Sequence, residues 1–63
     1  MRPKFSPGDL IINAHEMEIV RVVEIHGQNY RIRDFKGKQY EDFIDIIDAV
    51  FELLTEEKRA ELL

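Results

Sequence analysis

The chain has 63 residues, nine Lys or Arg against thirteen Asp or Glu for a formal net charge of −4, and no cysteine. A chain this short is one domain, 1–63, burying only about 60% of the surface its unfolded form exposes, and it has neither disulfides nor a thiolate metal site to hold it together. With 44% hydrophobic and 35% charged residues it has the composition of a folding soluble domain rather than a disordered tail.

No apolar run approaches the length of a membrane-spanning helix, about 20 residues. Met1-Arg2-Pro3-Lys4 leads into a turn rather than a secretory h-region, so the expected location is the cytoplasm. The charge is uneven. Residues 1–40 carry seven Lys/Arg against five Asp/Glu, net +2, and residues 41–63 carry two against eight, net −6.

In chain order, Phe5-Ser6-Pro7-Gly8-Asp9-Leu10-Ile11-Ile12 gives an apolar anchor, a Pro-Gly-Asp turn and a β-branched run. Pro7 presets the turn and Gly8 takes a conformation that a Cβ would strain. Leu10–Asn13 reads as a first strand, Asn13-Ala14-His15-Glu16 as a loop and Met17–Ile25 as a second, longer strand. Ile19, Val20, Val22, Val23 and Ile25 make that strand apolar on both faces, which suits a bent strand shared by two packed sheets with a bulge near Val23-Glu24. His26-Gly27-Gln28-Asn29 is a reverse turn, since Gly27 and Asn29 accept positive φ. Tyr30–Phe35 alternates as a third strand, with Ile32 on one face and Arg31 and Arg33 on the other. Lys36-Gly37-Lys38 forms the next turn, and Gln39–Ile44 a fourth strand.

Glu41–Leu54 supports two readings. As a helix, it carries Asp45, Asp48, Ala49, Glu52 and Glu56 on one stripe and Phe43, Ile46, Ile47, Val50, Phe51 and Leu54 on the other. As part of a barrel, Asp45-Ile46-Ile47-Asp48 is a single 3₁₀-like turn and Val50–Leu54 a fifth strand closing against the first. The barrel reading is preferred, because a closing strand removes an exposed sheet edge. Thr55 is an N-cap, with Glu56 and Glu57 in the first turn and Lys58 and Arg59 after them, which predicts a helix over 56–62. Too short to persist alone in water, it leaves Ala60, Leu62 and Leu63 to dock on something or fray. The expected core is Leu10, Ile12, Val20, Val22, Ile32 and Phe43, with Phe51 or Leu53 from the last strand.

Taken together, Phe5-x-Pro-Gly-Asp-Leu-Ile, Val20-Arg21-Val22-Val23-Glu24-Ile25, Tyr30-Arg31-Ile32-Arg33, Gly37-Lys38 and Asp48-x-x-Phe51-Glu52-Leu53 resemble SH3-like barrel domains. The likeness is greatest to small proteins of tailed bacteriophages and prophage-like elements, and more distant to KOW-type barrels. The resemblance spans residues 5–54. It implies a mostly β fold, a small five-stranded barrel with a short C-terminal helix, whose loops and one sheet face bind other macromolecules. The Trp and paired aromatics of a peptide-binding SH3 groove are missing, which argues against proline-rich ligands.

No residue set has catalytic or metal-ligand spacing. His15 and His26 sit in loops near acids but form no i,i+4 pair, and a barrel this small lacks the deep pocket that tunes a catalytic carboxylate. No cofactor, metal or enzymatic activity is expected. The function expected is that of a non-catalytic protein-interaction module, a phage-type accessory or inhibitory protein acting on a host protein in the host cytoplasm, as a monomer or weak homo-oligomer. Its binding face is the acidic set Glu41, Asp42, Asp45, Asp48 and Glu52, interleaved with Phe43, Ile46 and Phe51, which suits a basic partner surface. The alternative is nucleic-acid binding by Arg21, Tyr30, Arg31, Arg33, Lys36, Lys38 and Tyr40, with phosphates met by the cations and bases by the rings. A pI of about 5.0 ranks that reading second.

Overall fold

The computed structural model describes residues 2–62, of Leu62 the backbone alone. Its elements run β1 (Leu10–Asn13), β2 (Glu18–His26), β3 (Asn29–Asp34), β4 (Gln39–Phe43), α1 (Ile44–Val50), β5 (Glu52–Leu53) and α2 (Glu56–Leu62). All strand pairs are antiparallel, in the order β4-β3-β2-β1-β5. The mostly β class, the five strands and the C-terminal helix follow the sequence reading. So does the bulge, a register shift between Val22 and Glu24. The sheet is not closed into a barrel: α1 takes the residues that a long closing strand would need, and β5 keeps only two.

Side-chain alternation along the strands sets the core. Ile11, Val20, Val22, Tyr30 and Ile32 share the inner face and pack with Phe5 from the N-terminal segment and with Ile47 and Phe51 from the α1 region. Ile12 is also fully buried, but it lies one residue from Ile11 and pairs with Ile19 rather than Val20, on the other face of the sheet. Two expected core residues, Leu10 and Phe43, move outward, and of Phe51 and Leu53 it is Phe51 that enters the core. Leu10 is half-buried because Ile11 holds the inward phase; Leu53 is exposed beside Phe51, which faces in. Phe43 is 59% exposed. On β4 the inward positions belong to Tyr40 and Asp42, which pair with Ile32 and Tyr30, so the pleat turns Phe43 away.

The Asp45–Asp48 segment is a helix of seven residues rather than a single 3₁₀ turn. Its inward stripe is Ile44, Ile47, Asp48 and Phe51, leaving Ile46 and Val50 exposed, so the helical reading of the sequence had the wrong phase. A hydrogen-bonded clamp sets the phase. Tyr30 Oη donates to Asp48 Oδ1 at 2.6 Å and accepts from the Phe5 N–H at 3.0 Å, while the Lys4 N–H donates to Asp48 Oδ2 at 3.1 Å. Lys4 Nζ then donates to the Phe51 and Asp48 carbonyls at 3.1 and 3.4 Å, placing a cation at the end of a helix whose own last turn has none. Burial, and then the bond to Asp48, push the Tyr30 phenol up to about 12.

Thr55 caps α2 as expected, its Oγ1 accepting the Lys58 N–H at 3.1 Å. Ala60 is exposed rather than docked, and the Leu62 side chain and Leu63 lie outside the described residues. Among the described residues no helix is long and apolar enough to cross a membrane.

The first turn behaves as its residues require. Gly8 has φ +95°, its N–H donates to the Val22 carbonyl at 2.7 Å, and a Cβ there would meet open space. Strain in φ is therefore the whole cost of a side chain, and Gly8→Ala should lose about 1 to 2 kcal/mol. An unchanged urea midpoint would remove that turn from the account.

Candidate functional site

The expected acidic face is largely spent on the fold itself. Glu41 accepts from Asn29 and Arg31, both at 3.2 Å, and lies 3.5 Å from His26 Nδ1. These bonds, those of Asn29 and Arg31 foremost, hold its carboxyl below the usual carboxylate range. Glu52 pairs with Lys58 Nζ at 2.6 Å and is likewise lowered. Asp48 belongs to the Tyr30 clamp. Asp42 accepts the N–H of Phe43 at 2.8 Å. The bonds from Asp34 N–H to the Lys38 carbonyl and from Ile44 N–H to the Gln28 carbonyl fix the ladder's alternation, so the N–H of Phe43 points to the open edge of β4. Asp42 thus covers a donor that another strand could use. Of the five acids, only Asp45 makes no ion pair or side-chain hydrogen bond among the described residues.

The expected basic and aromatic set is split. Tyr30 is fully buried and presents no ring to a base. Tyr40 is half-buried and packs against the core, its phenol raised by burial and then by Glu18. Arg31 is neutralised between Glu24 at 2.8 Å and Glu41 at 3.2 Å. Arg21 and Arg33 remain together as direct cross-strand partners, and Lys36 and Lys38 stand exposed in the β3–β4 turn, where Asp34 Oδ1 accepts both their N–H groups at 2.9 Å. The sequence reading passed over Phe35, which is 86% exposed beside them.

An open groove of about 730 Å³ lies at the end of the β2–β3 hairpin, next to the start of α1. Ile25, Phe43 and Ile46 line it, from β2, β4 and α1 respectively, and each is at least 40% exposed. Arg2 and Asp45 supply its charged lining, and Gly27 and Gln28 the hairpin turn. Sequence reasoning sets Phe43 and Ile46 among the acids of the partner face but also places Phe43 in the core, and it does not join Ile25 to them. The available signal was the parity of β4, where Tyr40 inward requires Phe43 outward.

Among the described residues no group of His, Asp or Glu is arranged to hold a metal ion, and no buried side-chain polar atom lacks a hydrogen-bond partner. Fold and surface together define a small mostly β domain with an open five-stranded sheet and an exposed apolar groove. Comparison with protein-family models, with curated proteins and with solved structures finds no match.

Proposed function

We propose that this chain is a non-catalytic protein-interaction module whose working surface is the groove of Ile25, Phe43 and Ile46. The observation that carries the reading is the convergence of three large apolar side chains, from three separate elements, on one open concavity. Contiguous exposed apolar surface of this kind costs solubility and marks interaction sites. Asp45 on the lining has no ion pair or side-chain hydrogen bond among the described residues, and the segment from residue 41 onward carries net −6, so the fitting occupant is an apolar segment of another protein bearing a basic side chain. Arg2 asks of the same segment a carbonyl or carboxylate acceptor. In an accessory or inhibitory protein of the phage type that the resemblance implies, filling this groove with a host protein would be the whole mechanism, with no bond made or broken.

The test is affinity capture from the producing cell with three baits. The parent should retain a partner, Phe43→Ser combined with Ile46→Ser should lose it by about 30-fold or more in affinity, as removal of a hot spot does, and Asp45→Lys should weaken it. All three side chains are exposed, so the variants should melt near the parent. Equal capture by the double variant would exclude the groove as the binding surface.

A further inference from the structure

The sheet face opposite the main core carries a second feature, at the other end of β3 from the groove. Arg21 on β2 and Arg33 on β3 are opposite one another in the ladder. Like charges in that relation destabilise a sheet, and among the described residues neither has a carboxylate within 4.0 Å. Arg31, two residues from Arg33 on the same strand face, has two such partners. Arg21 is held in place by a 2.8 Å bond from its Nη1 to the Gly8 carbonyl, and its other guanidinium donors make no hydrogen bond among the described residues. The two arginines line a shallow cleft of about 210 Å³ with Leu10, Ile19, Asp34 and Phe35. Phe35 stands 86% exposed, with Lys36 Nζ 5.7 Å from its ring centroid. A nearly bare aromatic ring beside two uncompensated guanidiniums has the elements of a stacking platform with a phosphate clamp.

We propose that this face binds single-stranded nucleic acid, one base stacking on Phe35 and the adjoining phosphate bridging Arg21 and Arg33. Lys36 and Lys38 extend the cationic track along the β3–β4 turn. The site stands independently of the apolar groove. Asp34 is the acid on the lining of the cleft, and its Oδ1 is taken up by the N–H groups of Lys36 and Lys38, while Glu24 and Glu41 pair with Arg31 rather than with Arg21 or Arg33. The overall charge of −4 sets the expectation of modest affinity with marked salt dependence.

Fluorescence anisotropy with labelled dT and rU 12-mers tests it. The parent should bind in low salt with a slope of log affinity against log salt of about −1.4 to −2.8, the range for two to four phosphate contacts on a single strand. Phe35→Ala, at so exposed a position, should leave the fold intact and weaken binding about tenfold or more at unchanged slope. Arg33→Gln should weaken binding and reduce the slope by about 0.7. The groove variant Phe43→Ser with Ile46→Ser should bind the oligonucleotides as the parent does, which separates this proposal from the preceding one. No oligonucleotide binding in low salt would overturn it. So would parent-like binding by Phe35→Ala, or inorganic polyphosphate of equal charge binding as tightly as the oligonucleotide, since either removes the base from the interaction.

Discussion

Phe51→Ala should cost about 3 to 5 kcal/mol and shift the urea midpoint sharply downward. The ring is 4% exposed and packs in the main cluster, and truncating a buried Phe costs about 3 to 5 kcal/mol through lost transfer energy and the cavity left behind. A chain of 63 residues has a total stability of roughly 3 to 9 kcal/mol at the usual per-residue range, so one substitution removes a third or more of it. Phe43→Ala is the matched control. Its ring is 59% exposed and, although Phe43 is the N-cap residue of α1, its side chain makes no capping bond, so the loss should stay at about the 0.5 kcal/mol usual for surface truncations. Urea denaturation of the two variants side by side reads the difference directly. Equal losses would mean that β4 has the opposite pleat parity and that Phe43 belongs to the core.

Tyr30→Phe should cost about 2 kcal/mol at neutral pH and also flatten the alkaline side of the stability profile. The substitution leaves the ring in the core but deprives Phe5 N–H of its acceptor and Asp48 of a 2.6 Å donor. An unpaired buried donor costs about 1 to 3 kcal/mol. The pH effect follows from the phenol, raised from 10.0 to about 12 by burial and by the bond to Asp48. Because the folded value lies above the unfolded one, the native state favours the neutral phenol. That contribution is complete below pH 10 and is lost as pH rises through about 12. It amounts to roughly 2 to 3 kcal/mol at 1.36 kcal/mol for each pH unit of difference. Tyr40, also raised, keeps a decline of the same sign in the variant, so the informative quantity is the difference between parent and variant from pH 9 to 12. Parallel declines would show that the Tyr30 hydroxyl does not hold the clamp.

The strands were legible in the sequence because each is a local pattern bounded by turn residues. The alternation of Tyr30-Arg31-Ile32-Arg33, the Gly27 and Gly37 turns and the doubly apolar β2 leave few other arrangements, and the double apolarity also betrayed the bulge. The segment from Phe43 to Leu54 was not decided locally, since its apolar residues satisfy a helix and a strand about equally well. What decides it is non-local: the clamp of Tyr30, Asp48 and Lys4 joins residues up to 44 positions apart, and no periodicity in the segment reports it. The pairing of the acidic set was hidden for the same reason. A list of acids says nothing of which are already bonded, and Glu41, Asp48 and Glu52 each found a partner on another element. Tyr30 was misread in the opposite direction, its neighbouring arginines suggesting a stacking surface while the pleat turned the ring inward. Phe35 looked like the end of a strand and became an exposed ring because Asp34 starts the turn one residue earlier.

The measurement that bears most directly on the groove as a protein-binding surface is a map of backbone amide shifts on adding the captured partner to isotope-labelled chain. Contact should perturb Ile25, Gly27, Gln28 and the run from Phe43 to Ile46, and leave Arg21, Arg33 and Phe35 unchanged. Perturbations confined to the Arg21–Phe35 face, to β5 or to α2, with the groove residues silent, would contradict the account.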